Sequence, residues 1–300
     1  MALAQAGQVR DLLTGLGAGI EVEVVGIQTS GDRWQGDLAD LGGKGAFLKE
    51  IDRELVRGGI DVAVHCMKDV PGDVPVPEGT TFTAYLARED VHDVIVFPAG
   101  SPRTGLDDLP PGAHVATSAV RRAAQLLRAR PDLRIDRIRG NVNSRFARFD
   151  AEGRFDAMIV ALAGLRRIGL EDRVGQVLPP DVMCPAVGAG VIGLQCRTAD
   201  SGTVDLIRLL DHTETRTYVT AERAMLHGLR GHCNSPIAGH CTPTPDGQLS
   251  LVGLVFTRDG GEFVSAHEWD KPDRARELGA SVAATLAGKG AREIIAGIPH

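Results

Sequence analysis

The chain has 300 residues, which exceeds the usual size of one domain, so two or three domains of about 100 residues each are expected. Hydrophobic residues make up 43% of it, but no run reaches the eighteen or so positions that a membrane span needs, and no basic N-terminal segment precedes an apolar one. A cytoplasmic protein without a membrane partner is therefore expected. The net charge of −6 and the aromatic content of 4% argue against nucleic-acid binding.

The cysteines are odd in number and form no CxxC pair, and a chain of this length does not need disulfides for its stability. Reduced thiols are expected at all five positions, which are Cys66, Cys184, Cys196, Cys233 and Cys241.

The N-terminal third alternates between strand and helix patterns. Glu21 to Ile27 has the pattern of a strand, and Gly45 to Val56 that of an amphipathic helix that stops at Gly58 and Gly59. Ile60 to Met67 is a short continuous apolar run, which is typical of a parallel strand buried on both faces. This alternation predicts an α/β unit with a doubly wound sheet.

The stretch from Pro98 to Gly112 is rich in proline and glycine and is the candidate crossing to a second domain. Strand and helix patterns alternate again beyond it, which predicts a second α/β unit. Its predicted elements are a strand at His114 to Thr117, a helix at Ala119 to Ala129, a strand at Arg134 to Ile138, a helix at Asn143 to Phe149 and a strand at Ala157 to Leu162.

The C-terminal part has a different pattern. An amphipathic helix at Arg216 to Leu229 leads into a loop at 230 to 239, and a last helix is predicted at Pro272 to Ala287. Between them, strands at Leu249 to Thr257 and Glu262 to Glu268 flank Asp259-Gly260-Gly261, which is a hairpin signal. The third unit is therefore predicted to be a small α+β domain.

The charge of the chain is uneven. The segment from Gly112 to Arg167 contains twelve arginines, no lysine and five acidic residues, for a local net charge of +7. An acidic protein with such a basic segment is expected to bind an anion there.

Several polar residues follow predicted strands directly, and ligands of open α/β sheets bind beyond the carboxyl ends of the strands. Lys68 and Asp69 follow Ile60 to Met67. Thr117, Ser118, Arg121 and Arg122 lie at the end of the next predicted strand, His114 to Thr117. Asp69 has two interpretations, a turn cap before Val70-Pro71 or a catalytic carboxylate, and the spacing does not separate them.

Arg121 and Arg122 fall in the first turn of a helix that Ser118 is expected to cap. Cations there oppose the helix dipole at a cost of about 0.3 to 1 kcal/mol each, so an anion site is the favoured explanation. Arg139, Arg145 and Arg167 lie at similar strand-to-helix junctions. Surface ion pairs are the expected role of the remaining arginines Arg128, Arg130, Arg134 and Arg137.

Cys233 lies in the loop Arg230-Gly-His-Cys-Asn-Ser-Pro and is open to several interpretations. A free cysteine is more often a small buried hydrophobe than a nucleophile. A zinc site formed by His232, Cys233, His240 and Cys241 is a further alternative, although the spacing is not a usual one and no metal is the favoured expectation.

Ordered sequence strings along essentially the whole chain resemble the porphobilinogen deaminase family, also called hydroxymethylbilane synthase. The strings are Gly42 to Glu50, Asp61 to Pro71, Arg88 to Asp90, Thr117 to Arg122, Arg139 to Arg145, Ala163 to Arg167, Pro185 to Gly188, Thr220 to Arg223 and the Cys233 loop.

The resemblance implies two α/β domains like those of a type-II periplasmic binding protein and a small α+β domain that carries a covalent cofactor. The implied division assigns residues 1–97 with 188–212 to domain 1, 98–187 to domain 2 and 213–300 to the C-terminal domain. It also implies a monomeric transferase of tetrapyrrole (porphyrin, haem) biosynthesis. Such an enzyme joins four porphobilinogen molecules head to tail with loss of ammonia and releases hydroxymethylbilane.

The resemblance also implies roles for individual residues. Cys233 would hold a dipyrromethane cofactor through a thioether, and Asp69 would be the carboxylate at the reacting centre. Carboxylate groups of the cofactor and of the substrate would be bound by two sets of residues. The cofactor-binding set is Lys68, Asp69, Thr117, Ser118, Arg121, Arg122 and Arg139, and the substrate-binding set is Lys44, Arg145 and Arg167.

The chemistry of the residues agrees with these roles. Each pyrrole carries two carboxylates, so a growing chain is a polyanion that suits arginine pairing. Loss of ammonia leaves a cationic azafulvene, which a fixed carboxylate can stabilise while it handles the pyrrole proton. A thiolate is well suited to capture such an electrophile.

The chain also departs from the family pattern. It begins at Met1-Ala-Leu-Ala-Gln5, whereas the family opens with a strand that ends in Arg-x-Ser, so that strand and one substrate-binding arginine are expected to be missing from domain 1. Cys66, Ala119, Ala189 and His232 replace the residues that are usual at their positions. A weakened or inactive paralogue that binds carboxylates or pyrroles is therefore the alternative function.

Overall fold

The computed structural model describes residues 1–17, 19–30, 48–138, 140, 142–231 and 235–298. The strands of this part of the chain form three separate sheets, with three, five and three strands. Helices pack against each sheet, so the molecule is of the α/β class with a small α+β unit at its C-terminal end. This agrees with the fold class that the sequence predicts.

The first sheet has the order β1-β8-β2, and both pairings are antiparallel. Its strands are β1 (Val62–Cys66), β2 (Thr80–Tyr85) and β8 (Ile192–Arg197), and the helices of this unit are α1 (Ala2–Gly15), α2 (Lys49–Val56) and α6 (Ser201–Arg208). Val9 and Leu13 of α1 join the core of this sheet.

Two expectations for this unit are wrong. Glu21 to Ile27 forms no strand, because no described strand pairs with it. The strand predicted at Ile60 to Met67 is present as β1, but it is an antiparallel edge strand whose residues alternate between buried and half-buried, and it is not parallel. The apolar run therefore predicts the strand correctly and its direction wrongly, since its partner among the described residues, β8, follows more than a hundred residues later.

The second sheet has the order β5-β4-β6-β3-β7. β4 is parallel to β5 and β6, whereas β3 is antiparallel to both of its neighbours. The strands are β3 (Asp93–Val96), β4 (His114–Ala116), β5 (Arg134–Asp136), β6 (Ala157–Ala161) and β7 (Val174–Val177), and the helices are α3 (Val120–Ala129), α4 (Val142–Glu152) and α5 (Leu162–Arg167).

The core of the second unit lies on both faces of this sheet. Successive residues of β3 alternate between two clusters, with Ile95 in one and Val94 and Val96 in the other. A continuous apolar run is what such a strand requires. α3 ends at Ala129, two residues before Pro131, which could not continue the helix.

The third sheet is an antiparallel meander in the order β11-β10-β9. Its elements are α7 (Thr213–Gly228), β9 (Ile237–Pro243), β10 (Leu249–Phe256), β11 (Phe263–Asp270), α8 (Ala275–Gly288) and α9 (Ala291–Ala296). The hairpin around Asp259 to Gly261 and both flanking strands are confirmed. β9 is not among the predicted strands, because the sequence pattern assigns residues 230–239 to a loop and β9 begins at Ile237.

The chain crosses between the first two units twice. It leaves the first sheet after Tyr85 and enters the second at Asp93, and it returns between Val177 and Ile192. The two crossing segments bind each other, since Leu86 N donates to Ile192 O at 3.0 Å and Glu89 N donates to Gly190 O at 2.9 Å. This double crossing agrees with the binding-protein-like arrangement that the resemblance implies.

The first crossing lies earlier than the sequence analysis placed it. β3 pairs within the second sheet, so residues 93–97 belong with that unit and not with domain 1. The stretch from 98 to 112 is a connection inside the second unit, because Leu106 and Leu109 are buried in its core. Proline and glycine marked an irregular connection correctly but did not distinguish a connection within a unit from one between units. The other domain boundaries stay a prediction.

Candidate active site

Asp69 lies in a short 3₁₀ turn, Met67–Asp69, that directly follows β1. Met67 is buried with an exposure of 1% and anchors the turn, while Lys68 and Asp69 are exposed. The backbone N–H of Met67 donates to the carbonyl of Val191 on the second crossing segment at 3.0 Å. The sheet therefore presents a carboxylate and a lysine side by side at the point where the sequence predicted them.

The second crossing segment packs closely on this turn at Gly188. The residue has a φ of +72°, and a Cβ atom there would lie 2.8 Å from Met67 Cβ and 2.9 Å from Met67 C. Both the backbone conformation and the close approach require glycine. The turn that carries Asp69 is thus held by direct backbone packing.

The first and second units face each other across a cleft of about 550 Å³, a size typical of small-molecule sites. It is lined by Arg167 at the end of α5 and by residues of α1, namely Ala4, Gly7, Gln8, Asp11 and Leu12. Nε and Nη2 of Arg167 are buried and have no hydrogen-bond partner among the described residues. Because buried donors are normally paired, these atoms are suited to a ligand carboxylate.

Cys66 connects the turn to the cleft. Burial raises the pKa of its thiol and Asp69 raises it further, whereas Lys68, a hydrogen bond with Gln5 and Arg167 lower it. The influence of both Asp69 and Arg167 on one thiol shows that charges from the two units converge here. The raised pKa favours the protonated thiol, which is a weak nucleophile.

Arg121 and Arg122 are placed differently from the cleft-lining residues. Both are buried, with exposures of 7% and 8%, and both form ion pairs with Asp93, with Arg122 Nη2 at 2.6 Å from Asp93 Oδ1. They also donate to the carbonyls of Cys184 and Ile159, respectively. Burial by itself would raise the pKa of Asp93, but the guanidinium groups of Arg122 and Arg121 outweigh it and lower the pKa.

This arrangement gives the two arginines a structural role inside the second unit. Arg122 Nε remains buried without a partner among the described residues, so one donor is still available to a ligand. The expected cap is wrong, because Ala119 is the N-cap residue of α3 and no side chain caps it. Ser118 instead donates to the carbonyl of Ile138 at 2.7 Å.

The remaining site residues fall into two groups. Thr117 is buried and its hydroxyl accepts from the N–H of Ala119 at 3.2 Å, while Arg145 is half-buried and donates from Nε to the carbonyl of Gly140 at 2.7 Å. The other group lies outside the described residues and consists of Lys44, Arg139 and Cys233.

His232 also lies outside them, so the zinc alternative stays untested at that loop. Within the residues that the structure does describe, no group of three or more His, Cys, Asp or Glu side chains is arranged to hold a metal ion. No helix in this part of the chain is both long and apolar enough to cross a membrane.

Sequence reasoning missed three charged residues of the interior. Asp93 pairs with the two arginines, and Arg88 pairs with Glu222, which is fully buried. One signal could have found Asp93, namely a carboxylate that directly precedes the apolar run Val94-Ile95-Val96. Arg88 and Glu222 lie far apart in sequence, and no local pattern links them.

The fold defines a class of protein built from two α/β units and a small α+β unit, with an arginine-lined cleft between α1 and α5. Residues 1–205 match the family model "Porphobilinogen deaminase, dipyromethane cofactor binding domain", and residues 216–288 match "Porphobilinogen deaminase, C-terminal domain". The chain belongs to the porphobilinogen deaminase family, whose members are transferases of tetrapyrrole biosynthesis.

A curated relative, "Porphobilinogen deaminase 2" of Streptomyces coelicolor, is 49% identical over 300 residues, which is 100% of this chain and 95% of that protein.

Among solved structures, the VFT2 domain of Bordetella pertussis BvgS gives a TM-score of 0.41 at 18% identity and covers 68% of this chain and 76% of that one. Holo ArgBP from T. maritima gives 0.35 at 16% identity, with coverages of 68% and 76%. Because these scores are low, the fold assignment rests on the sheet topology and on the family match.

Proposed function

We propose that this chain is an active porphobilinogen deaminase that condenses four porphobilinogen molecules head to tail to hydroxymethylbilane, with loss of ammonia at each step. The match over the full length of the chain supports this function. The observation that carries it in the structure is that the charges of Asp69 and Lys68 from the first unit and of Arg167 from the second unit all act on the thiol of Cys66, while Arg167 also lines the cleft. A cytoplasmic monomer is the form we propose for it.

Asp69 is proposed to act at the reacting carbon. Loss of ammonia from porphobilinogen leaves a cation, and an exposed carboxylate on an anchored turn can stabilise that charge without reorganising. The same carboxylate can accept the proton that leaves the pyrrole when the new carbon–carbon bond has formed. Both roles require that Asp69 be ionised and held in place.

Binding of the acetate and propionate groups is proposed for the cations around the cleft. Nε and Nη2 of Arg167 have no hydrogen-bond partner within the described ranges, Lys68 is exposed beside Asp69, and Arg145 lies on α4. Lys44 completes the predicted substrate set, and Arg139 belongs to the predicted cofactor set. Each pyrrole brings two carboxylates, so several cations are needed to bind a chain of pyrroles.

The dipyrromethane cofactor is proposed to be held through Cys233, with its carboxylates near Lys68, Thr117, Ser118, Arg122 and the other members of that set. One observation supports this fit: Nε of Arg122 is buried and has no hydrogen-bond partner among the described residues, so it suits a carboxylate. The ion pairs with Asp93 limit the contribution of Arg121 and Arg122 to the binding of the cofactor carboxylates. When bound, the cofactor supplies a nucleophilic pyrrole to which the first substrate unit is joined.

Intact-mass measurement tests the covalent cofactor. The protein purified from cells that make porphobilinogen should exceed its sequence mass by one dipyrromethane, and Cys233→Ser should lack that increment. Cys66→Ser is the matched control, because it removes a thiol three residues before Asp69 and should keep the increment. An unmodified wild-type mass would contradict the proposal and favour the alternative, a paralogue that binds carboxylates or pyrroles without turnover.

Turnover tests the role of Asp69 separately. Asp69→Ala should consume no porphobilinogen while it keeps the thermal unfolding midpoint of the wild type, since the residue is exposed and its side chain holds no core contact. Hydroxymethylbilane formation by Asp69→Ala at the wild-type rate would refute the catalytic role.

A further inference from the structure

Helix α7 of the third unit packs on the segment that directly follows Asp69. Arg223 donates from Nη1 to the carbonyl of Val70 and from Nη2 to the carbonyl of Pro71, both at 3.1 Å. His227, one helical turn later, has its Nδ1 3.0 Å from the carbonyl oxygen of Gly72. Three consecutive carbonyls of the first unit are therefore bound by one face of one helix.

The position of Arg223 is unusual for a cation. Its side chain is largely buried, and this burial lowers its pKa. Among the described residues no carboxylate forms an ion pair with it, and its hydrogen bonds go to the two carbonyls alone. Burying a charge without a counter-charge is costly, so the two carbonyl contacts are the favourable interactions that hold this side chain in place.

One rigid guanidinium that binds two successive carbonyls fixes the orientation of both peptide planes. Val70 is extended, with a φ of −87° and a ψ of 115°, as the residue before a proline is expected to be. Because Asp69 is the residue before Val70, little freedom remains between the bound peptides and the carboxylate. On the other side, Met67 is held by Val191 and by the packing of Gly188.

We propose that Arg223 is a positioning residue for Asp69, which it serves by binding the carbonyls of Val70 and Pro71. The inference depends on the proposed catalytic role of Asp69 and adds to it the device that places the carboxylate. The interaction joins two units, because Arg223 of the third unit thereby positions a carboxylate of the first unit. A displacement of about 1 Å at a catalytic group can lower a rate a hundredfold.

The chain offers a matched control on the same helix. Arg216 also donates to a carbonyl of the first unit, that of Thr83 at 2.6 Å, and it forms an ion pair with Asp211. It therefore contributes to the docking of α7 on the first unit but contacts no residue next to Asp69. Removal of Arg216 tests whether docking alone explains the effect of Arg223.

The experiment compares steady-state kinetics of cofactor-loaded Arg223→Met, Arg223→Lys and Arg216→Met. We expect Arg223→Met to lower kcat by about 10- to 100-fold with KM for porphobilinogen within about twofold of the wild type. Lysine keeps the charge but cannot bind both carbonyls with one planar group, so kcat of Arg223→Lys should lie between those of the wild type and Arg223→Met. Arg223→Lys replaces Arg223→Met in the test if the methionine variant does not fold. Arg216→Met should keep kcat within about twofold.

A double-mutant cycle with Asp69→Asn completes the test. If Arg223 acts through Asp69, then Arg223→Met should reduce the residual rate of Asp69→Asn far less than it reduces that of the wild type. Equal losses in both backgrounds, a raised KM at unchanged kcat, or the same loss in Arg216→Met would overturn the inference. Normal turnover by Asp69→Ala would instead overturn the proposed catalytic role of Asp69, and a wild-type protein without turnover would overturn the proposed function, so the failures are distinguishable.

Discussion

Arg88 donates hydrogen bonds to both carboxylate oxygens of Glu222, at 2.7 and 3.2 Å. Arg88 belongs to the first crossing segment and Glu222 to α7. The same carboxylate accepts from the N–H of Gly188 on the second crossing segment and of Cys241 on β9, at 2.7 and 2.9 Å. One fully buried side chain therefore joins both crossings to the third unit.

Removal of this charge should be strongly destabilising. Glu222→Gln leaves Arg88 buried without a counter-charge, and such changes cost about 3 to 5 kcal/mol of unfolding free energy. Urea denaturation measures the difference. Asp205→Asn is the control, because the pair of Asp205 with Arg208 is exposed and should contribute less than about 1 kcal/mol. Equal effects of the two variants would contradict the role of the buried pair.

Arg167 should matter for substrate binding, whereas its neighbour should not. Arg167→Gln removes charge-assisted hydrogen bonds worth about 1.5 to 3 kcal/mol, so KM for porphobilinogen should rise about 10- to 100-fold. Arg166→Gln is the matched control, since Arg166 is exposed and already paired with Glu171 and Asp90. An unchanged KM in Arg167→Gln would show that the cleft binds no substrate carboxylate at this position.

Gly188→Ala should disturb the turn that carries Asp69. The new Cβ would meet Met67 Cβ at 2.8 Å and the backbone N of Lys68 at 3.1 Å, so the turn must shift and kcat should fall. Gly79→Ala controls for backbone strain, because Gly79 has a similar φ of +77° but open space around it. Both variants should lose about 1 to 2 kcal/mol from the left-handed conformation, and the loss of kcat should be confined to Gly188→Ala.

Asp93→Asn should reveal the structural role of Arg121 and Arg122. The variant leaves two buried guanidinium groups without a counter-charge, so it should lose about 3 to 5 kcal/mol of unfolding free energy at neutral pH. Because the folded pKa of Asp93 is depressed, this stabilisation is complete above the unfolded pKa of about 3.9 and is lost as the pH falls below it. Denaturant titrations between pH 2.5 and 7 should show a difference that is constant above about pH 4 and shrinks below it.

His65 should make the protein less stable in mild acid. Burial, with a smaller contribution from Arg223, lowers its pKa to about 4, whereas the unfolded chain titrates near 6.5. The unfolded state therefore binds more protons between these values, and stability should fall by up to about 1.4 kcal/mol per pH unit as the pH decreases from about 6.5 to 4. His65→Gln should flatten this slope and leave the curves parallel above pH 7. An unchanged slope would assign the effect to other groups.

Local patterns were sufficient for much of this fold. The alternation of short apolar runs with helical periodicity predicted β4, α3, β5, α4 and β6 of the second unit to within a few residues, because strand and helix periods depend on near neighbours alone. It missed β3, α5 and β7 of the same unit. The position of Lys68 and Asp69 at the end of β1 was also predicted, since it follows from the end of an apolar run.

Local patterns did not predict which strands pair with each other. β1 was read as parallel, but it pairs antiparallel with β8, whose residues follow only after the whole second unit. The first crossing was misplaced for a related reason, because a stretch rich in proline and glycine has the same composition within a unit and between units.

The sequence by itself determined which residues could form a site around Asp69, through residue type and strand ends, and it indicated the family. Only the tertiary structure decided which groups the side chains of these residues contact. It pairs Arg121 and Arg122 with the buried Asp93, leaves two donors of Arg167 without a partner in the part of the chain that the structure describes, and places Arg223 against the carbonyls that follow Asp69. Burial determines these contacts, because a charged group that is removed from water needs a partner, and that partner can come from any part of the chain.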